Sequence, residues 1–130
     1  VLVREYRHAA GVVMLGLPGG VSDPGETSWE AVGRRELAEE TGYVPREMRL
    51  IGSCYPNPAV QNNQVHFYLG LGCAQTVAQD FDGNEDIEIV EMPLRDFLNY
   101  EQAEHQHAIH AAALFYLLRY LLKHPELAPK

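Results

Sequence analysis

Three glutamates set within little more than one helical turn constrain this chain more than any other feature. The stretch from Gly20 to Tyr43 reads GVSDPGETSWEAVGRRELAEETGY, a turn-rich loop running into a helix whose second half is RELAEETG. Glu36, Glu39 and Glu40 fall at i, i+3 and i+4, so they project from one helix face as neighbours. Like charges at that spacing cost a helix about 0.2–0.5 kcal/mol per pair. A hard divalent cation reverses the sign, because Mg²⁺ and Mn²⁺ take oxygen ligands in an octahedron that carboxylates, water and phosphate can complete. Taken alone, a Glu/Arg-rich helix with an i,i+4 pair such as Glu30 and Arg34 reads more readily as a solvated face. The loop weighs against that: LPGGVSDPGE holds more proline and glycine than a plain strand-to-helix turn needs, and Gly42 supplies a helix stop.

The rest of the composition bounds the class of protein. At 130 residues with 46% apolar content, the chain is expected to form one domain with a conventional core. The net charge of −8 speaks against a sequence-independent nucleic-acid binder or an anionic-membrane binder. An acidic protein that handles phosphates must bring cations. Eight of its ten basic residues are arginine, which suits bidentate phosphate contacts. Cys54 and Cys73 are too few and too far apart for a disulfide scaffold or a C-x-x-C motif, and are expected as buried free thiols in a reducing compartment. No signal peptide is visible, and the longest apolar run, Ala111 to Leu118, is far short of the roughly 20 residues of a membrane span. The expected location is the cytoplasm. Val1 opens the chain in mid-strand, which implies further residues upstream.

Alternation predicts a strand over 1–7, in which Val1, Val3, Glu5 and Arg7 face one way and Leu2, Arg4 and Tyr6 the other. Apolar runs predict further strands over 11–17, 48–55, 64–74 and 87–92. Pro93 opens a short helix, and 101–123 reads as a long helix with Ile109, Ala113, Tyr116, Leu117, Tyr120 and Leu121 on an apolar stripe, ended by Pro125. This order predicts an α/β fold, a mixed sheet sandwiched between helices. The acidic run from Asp80 imitates a calcium loop, but its sixth position is Glu85 where the sharp turn needs glycine. His105, His107 and His110 leave only one i,i+3 pair on a helix, too few for zinc.

The loop and helix resemble the signature of the Nudix hydrolase family, G-x5-E-x7-R-E-U-x-E-E-x-G-U, where U is bulky and apolar. Gly20, Glu26, Arg35, Glu36, Leu37, Glu39, Glu40, Gly42 and Tyr43 fill its fixed positions. One departure is plain: eight residues, 27–34, separate Glu26 from Arg35 where the signature has seven. The extra residue is expected in the loop or first helical turn near Ser28 and Trp29. The opening VLVREYRHAAG and the later LPGG are similar to the ADP-sugar pyrophosphatase branch, which carries LVRQYR and LPAG here.

That resemblance implies the α/β/α Nudix sandwich over the single domain 1–130, with residues missing before Val1. It implies that the Gly19 carbonyl, Glu36, Glu39, Glu40 and Glu85 hold Mg²⁺ or Mn²⁺. Glu85 is the implied base, with Glu39 and Glu40 also in the catalytic set; Arg35 orients the glutamates. It makes Arg7, and with weaker support Arg4, phosphate contacts, and Pro58 a substrate-positioning residue, since ADP-ribose-hydrolysing members carry a proline fifteen residues after the position of Tyr43. Ala59 in place of glycine and Gly16 in place of glutamate are departures near the family's substrate. The implied activity is hydrolysis of ADP-ribose, a nucleotide-sugar small molecule, to AMP and ribose 5-phosphate by a homodimer. The alternatives are another nucleoside diphosphate derivative or dinucleotide, or a nucleotide-sensing module without turnover.

Overall fold

The computed structural model describes residues 1–80, 87–100 and 107–129. In chain order its elements are β1 (Leu2–Arg7), β2 (Val12–Gly16), α1 (Trp29–Thr41), β3 (Tyr43–Val44), β4 (Glu47–Cys54), β5 (Val65–Leu71), β6 (Ala74–Gln75), β7 (Ile87–Val90), α2 (Leu94–Leu98), α3 (Ala108–Lys123) and a 3₁₀ turn, Pro125–Leu127. They form two compact units, Val1–Met48 with Gly70–Met92, and Arg49–Leu69 with Pro93–Lys130.

In the first unit, β1 is the centre of a three-stranded sheet ordered β2-β1-β7 and is antiparallel to both neighbours. The registers place Val3 opposite Gly16 and Ile89, and Glu5 opposite Met14 and Ile87. Because side chains alternate across a pleated strand, these residues share one face. Val3 is fully buried there, and Met14 and Ile87 are buried as well. Burying a side chain of this kind stabilises the fold by roughly 1.5–3 kcal/mol. Arg4, Tyr6, Val13 and Glu88 belong to the other face and are exposed.

Helix α1 begins where its sequence provides a cap. Ser28 stands in extended conformation and its hydroxyl accepts the Ala31 N–H at 3.2 Å, with Glu30 in the positively polarised first turn. It ends at Gly42, whose φ of 72° is the left-handed cap conformation, with the Gly42 N–H donating to the Ala38 carbonyl. The carbonyls left over at that end are taken by residues 75–80. Gln75 Nε2 donates to Thr41, Gln79 Nε2 to Glu40, the Asp80 N–H to Glu39, and the Thr76 and Val77 N–H groups to Gly42.

In the second unit, β4 and β5 pair, and α3 buries Ala113, Leu117 and Leu121. Gly52 brings the Tyr116 ring onto the strand: a Cβ at that position would lie 2.1 Å from the ring. Tyr116 also donates its hydroxyl to the Ser53 carbonyl at 2.8 Å and packs on Phe67. Phe115, Leu118 and Leu122 form a second, exposed apolar stripe on the same helix.

Several expectations need correction. The strand expected over 64–74 ends at Leu71, because Gly72 turns the backbone with φ 62° and only Ala74–Gln75 resume as β6, pairing with β3. The long helix begins at Ala108, since His107 is extended and its Nδ1 caps the Ile109 N–H. Residues 101–106, with His105, lie outside the described residues. Both cysteines are free, but Cys54, the last residue of β4, is half-buried, and Cys73, in the link between β5 and β6, is exposed.

Candidate active site

Helix α1 and the loop before it carry four of the expected residues, Gly19, Glu36, Glu39 and Glu40. Glu40, only 8% exposed, accepts the Gly19 N–H on its Oε2 at 2.9 Å. The Glu36 carboxylate lies against Gly20 so closely that a Cβ there would meet its three terminal atoms at 2.5–2.6 Å. The signature glycine therefore has a steric reason: its missing side chain is the space the carboxylate occupies.

Arg35 holds the acidic cluster in place. Its Nη1 reaches Glu39 Oε2 at 2.9 Å and Glu36 Oε1 at 3.0 Å. Its Nε and Nη2 donate to the two oxygens of Glu26 at 3.2 and 3.3 Å. Nη2 also donates to the Val21 carbonyl. The hydrogen bond to Glu26 is the main reason that the Arg35 guanidinium is held above the usual arginine pKa, with Glu39 adding to it against a desolvation cost. Glu26 is correspondingly held below the usual carboxylate range, first by Arg35 and then by the Asp23 N–H, which donates to it at 2.7 Å. The extra residue between Glu26 and Arg35 leaves this clamp intact. Helix α1 runs from Trp29 to Thr41, and only Thr27 separates Glu26 from the helix cap Ser28.

The donor set fits a hard cation in chemistry, since it consists of carboxylate oxygens beside a glycine-rich backbone. Its arrangement is not that of a closed metal cage: among the described residues no three acidic, histidine or cysteine side chains gather around one point. Glu39 is turned to Arg35 and Glu40 to the Gly19 N–H. Glu85 lies outside the described residues. Its flanks are placed, Asp80 on the Glu39 carbonyl and Ile87 opposite Glu5 of β1.

The substrate-binding candidates fall in different places. Arg4 pairs with Glu88 across the exposed face of the sheet at 2.6 Å, whereas Arg7 pairs with Glu5 on the opposite face. Pro58 sits in an exposed turn of the second unit, where the Val60 and Gln61 N–H groups donate to the Asn57 carbonyl. Three contributors carry no signal of their contacts in the sequence. Gln79 and Asp80 tie the segment preceding Glu85 to α1, a contact with no local signature. Tyr43, expected only as a bulky apolar residue, donates its hydroxyl to Glu91, and that bond is the first cause of its raised pKa.

A glutamate-bearing helix led by a glycine-rich loop, in a fold of short sheets and helices, defines the class: the NUDIX domain model matches residues 1–117, and the chain belongs to that family. Within the family the similarity runs to the ADP-sugar pyrophosphatase branch. The chain is 26% identical over 122 residues to the ADP-ribose pyrophosphatase of Bacillus subtilis (strain 168), an alignment covering 93% of this chain and 64% of the relative. It is 32% identical over 106 residues to the GDP-mannose pyrophosphatase of Citrobacter koseri (strain ATCC BAA-895 / CDC 4225-83 / SGSC4696), covering 75% of this chain and 54% of the relative. A solved structure described as an ADP compounds hydrolase superposes with a TM-score of 0.76 at 25% identity, over 95% of this chain and 66% of its own. The chain thus spans between about half and two thirds of the length of these relatives.

Proposed function

We propose that this chain is the catalytic part of a divalent-metal-dependent pyrophosphatase that hydrolyses ADP-ribose, or a related nucleoside diphosphate sugar, to a nucleoside monophosphate and a sugar phosphate. The observation that carries the reading is the packing of Glu36 and Glu40 against the backbone of Gly19 and Gly20, with Arg35 joining Glu26, Glu36 and Glu39.

Glu36, Glu39, Glu40, Glu85 and the Gly19 carbonyl would hold Mg²⁺ or Mn²⁺. A cation held there would neutralise phosphate oxygens and supply the Lewis acidity that makes water a better nucleophile near neutral pH. In this reading Glu85 takes the proton from water as it adds to phosphorus, and the bond from that phosphorus to the bridging oxygen breaks. Arg35 does not touch substrate; it keeps three mutually repelling carboxylates in place. Arg7 is the stronger candidate for a phosphate contact, and Arg4, on the other face of β1, can join it only around the sheet edge. Pro58 would shape the substrate's surroundings.

The GDP-mannose relative favours a second reading of the same chemistry, with another nucleoside diphosphate sugar as substrate. We further propose a cytoplasmic homodimer, for which the exposed stripe of Phe115, Leu118 and Leu122 offers apolar surface. Among the described residues no helix is long and apolar enough to cross a membrane. A panel of ADP-ribose, GDP-mannose and related nucleotide sugars with Mg²⁺, read as phosphatase-sensitive product, tests the proposal. Turnover of at least one at a chelator-sensitive rate supports it, and failure of all of them leaves only a binding module.

A further inference from the structure

Helix α3 carries a feature that the proposed reaction does not use. Ile51, Tyr116, Arg119, Tyr120 and Lys123, all of the second unit, line a cleft of about 110 Å³. Among the described residues no acidic side chain lines it, although the chain as a whole carries a net charge of −8. Arg119 rests over the Phe115 ring at 5.4 Å, and among the described residues neither Arg119 nor Lys123 has a carboxylate partner. The Tyr120 hydroxyl accepts a hydrogen bond from Arg49 Nη1 at 3.0 Å, which leaves its own proton free to donate.

We infer that this cleft is a binding site for a phosphate dianion, either free or as the end of a small phosphomonoester. Size sets the upper limit, since the space equals about three to four waters at roughly 30 Å³ each and falls below the range of roughly 300–1,000 Å³ typical of pockets for drug-sized ligands. Charge sets the class: two cations without carboxylate partners among the described residues match a group carrying close to two negative charges at neutral pH. Tyr120 adds a hydroxyl donor made more polar by Arg49. The negative end of the α3 dipole opposes an anion, but it amounts to about half a charge against the two lining cations.

The test is a titration of the full chain with inorganic phosphate and, separately, glycerol 1-phosphate, followed by amide chemical shifts at ionic strength held constant with NaCl. Shifts centred on residues 116–124 are expected with either ligand. In Arg119→Gln/Lys123→Gln the apparent affinity should fall at least tenfold, while Glu40→Gln should keep it. Tyr120→Phe, which retains the ring, should weaken binding by a smaller factor and serves as the second variant if the double substitution disturbs folding. Response to the ester as well as to free phosphate marks a site open to phosphomonoesters, and response to phosphate alone marks a free-ion site. Shifts that NaCl reproduces, that survive both cleft variants, or that vanish in Glu40→Gln overturn the inference.

Discussion

Replacing Gly20 with alanine probes the site through one added carbon. The new Cβ would stand 2.5 Å from the Glu36 carboxylate, about 0.9 Å inside the 3.4 Å at which ordinary contact begins. The obstacle is the end of a flexible side chain and not backbone, and Gly20 does not have a positive φ, so the fold can accept the methyl group. Moving Glu36 off its rotamer costs about 0.5–1.5 kcal/mol. A misplacement of about 1 Å in a reacting constellation can cost on the order of 100-fold in rate. Gly20→Ala should therefore lose little stability in urea titration and about 100-fold in kcat for ADP-ribose hydrolysis, read by phosphate release from AMP. In a Glu36→Gln background the same substitution should add little further loss. Wild-type kcat in Gly20→Ala, or full additivity of the two substitutions, would refute the claim that Gly20 acts by making room for Glu36.

Glu40→Gln should abolish turnover and weaken Mn²⁺ binding measured by electron paramagnetic resonance. It should change the melting temperature little, because the amide oxygen can still accept the Gly19 N–H and one of three repelling charges is gone. Arg7→Ala should raise KM for ADP-ribose strongly and lower kcat only as far as its phosphate contact tightens in the transition state, which steady-state kinetics separates. Glu26 has a folded pKa below its ordinary value of 4.5, so its contribution to stability is complete above that value and is lost as pH falls through the lowered one. Melting temperature measured from pH 7 down to 2.5 should accordingly drop less steeply at the acid end in Glu26→Gln than in the parent chain.

Much of the site was legible because its signals are local. RELAEETG sets three carboxylates on one face by helical period alone, Ser28 and Gly42 mark the ends of α1, and strand alternation already put Arg4 and Arg7 on opposite faces of β1. The spacing shows the one-residue insertion, but only the structure relates Glu26 to Arg35 across it. What stayed hidden depends on partners distant in sequence. The two-residue pair β3–β6 is too short for any pattern, and the ties from Gln79 and Asp80 to the end of α1 rest on backbone carbonyls that every helix offers. His107 reads as one more helical residue until its Nδ1 is seen to cap the Ile109 N–H. The close approach of Glu36 to Gly20 is a matter of side-chain position that spacing cannot give.

In the proposed reaction the acidic helix and its loop direct water to a phosphorus of a nucleoside diphosphate. The most direct test of this is hydrolysis of ADP-ribose in ¹⁸O-labelled water with Mg²⁺, with mass spectrometry of the products. The expected products are AMP and ribose 5-phosphate, with the label in AMP and no reaction in excess chelator or with Glu40→Gln. Label in ribose 5-phosphate would move the attack to the other phosphorus, and free adenine, or undiminished hydrolysis in chelator, would contradict the account.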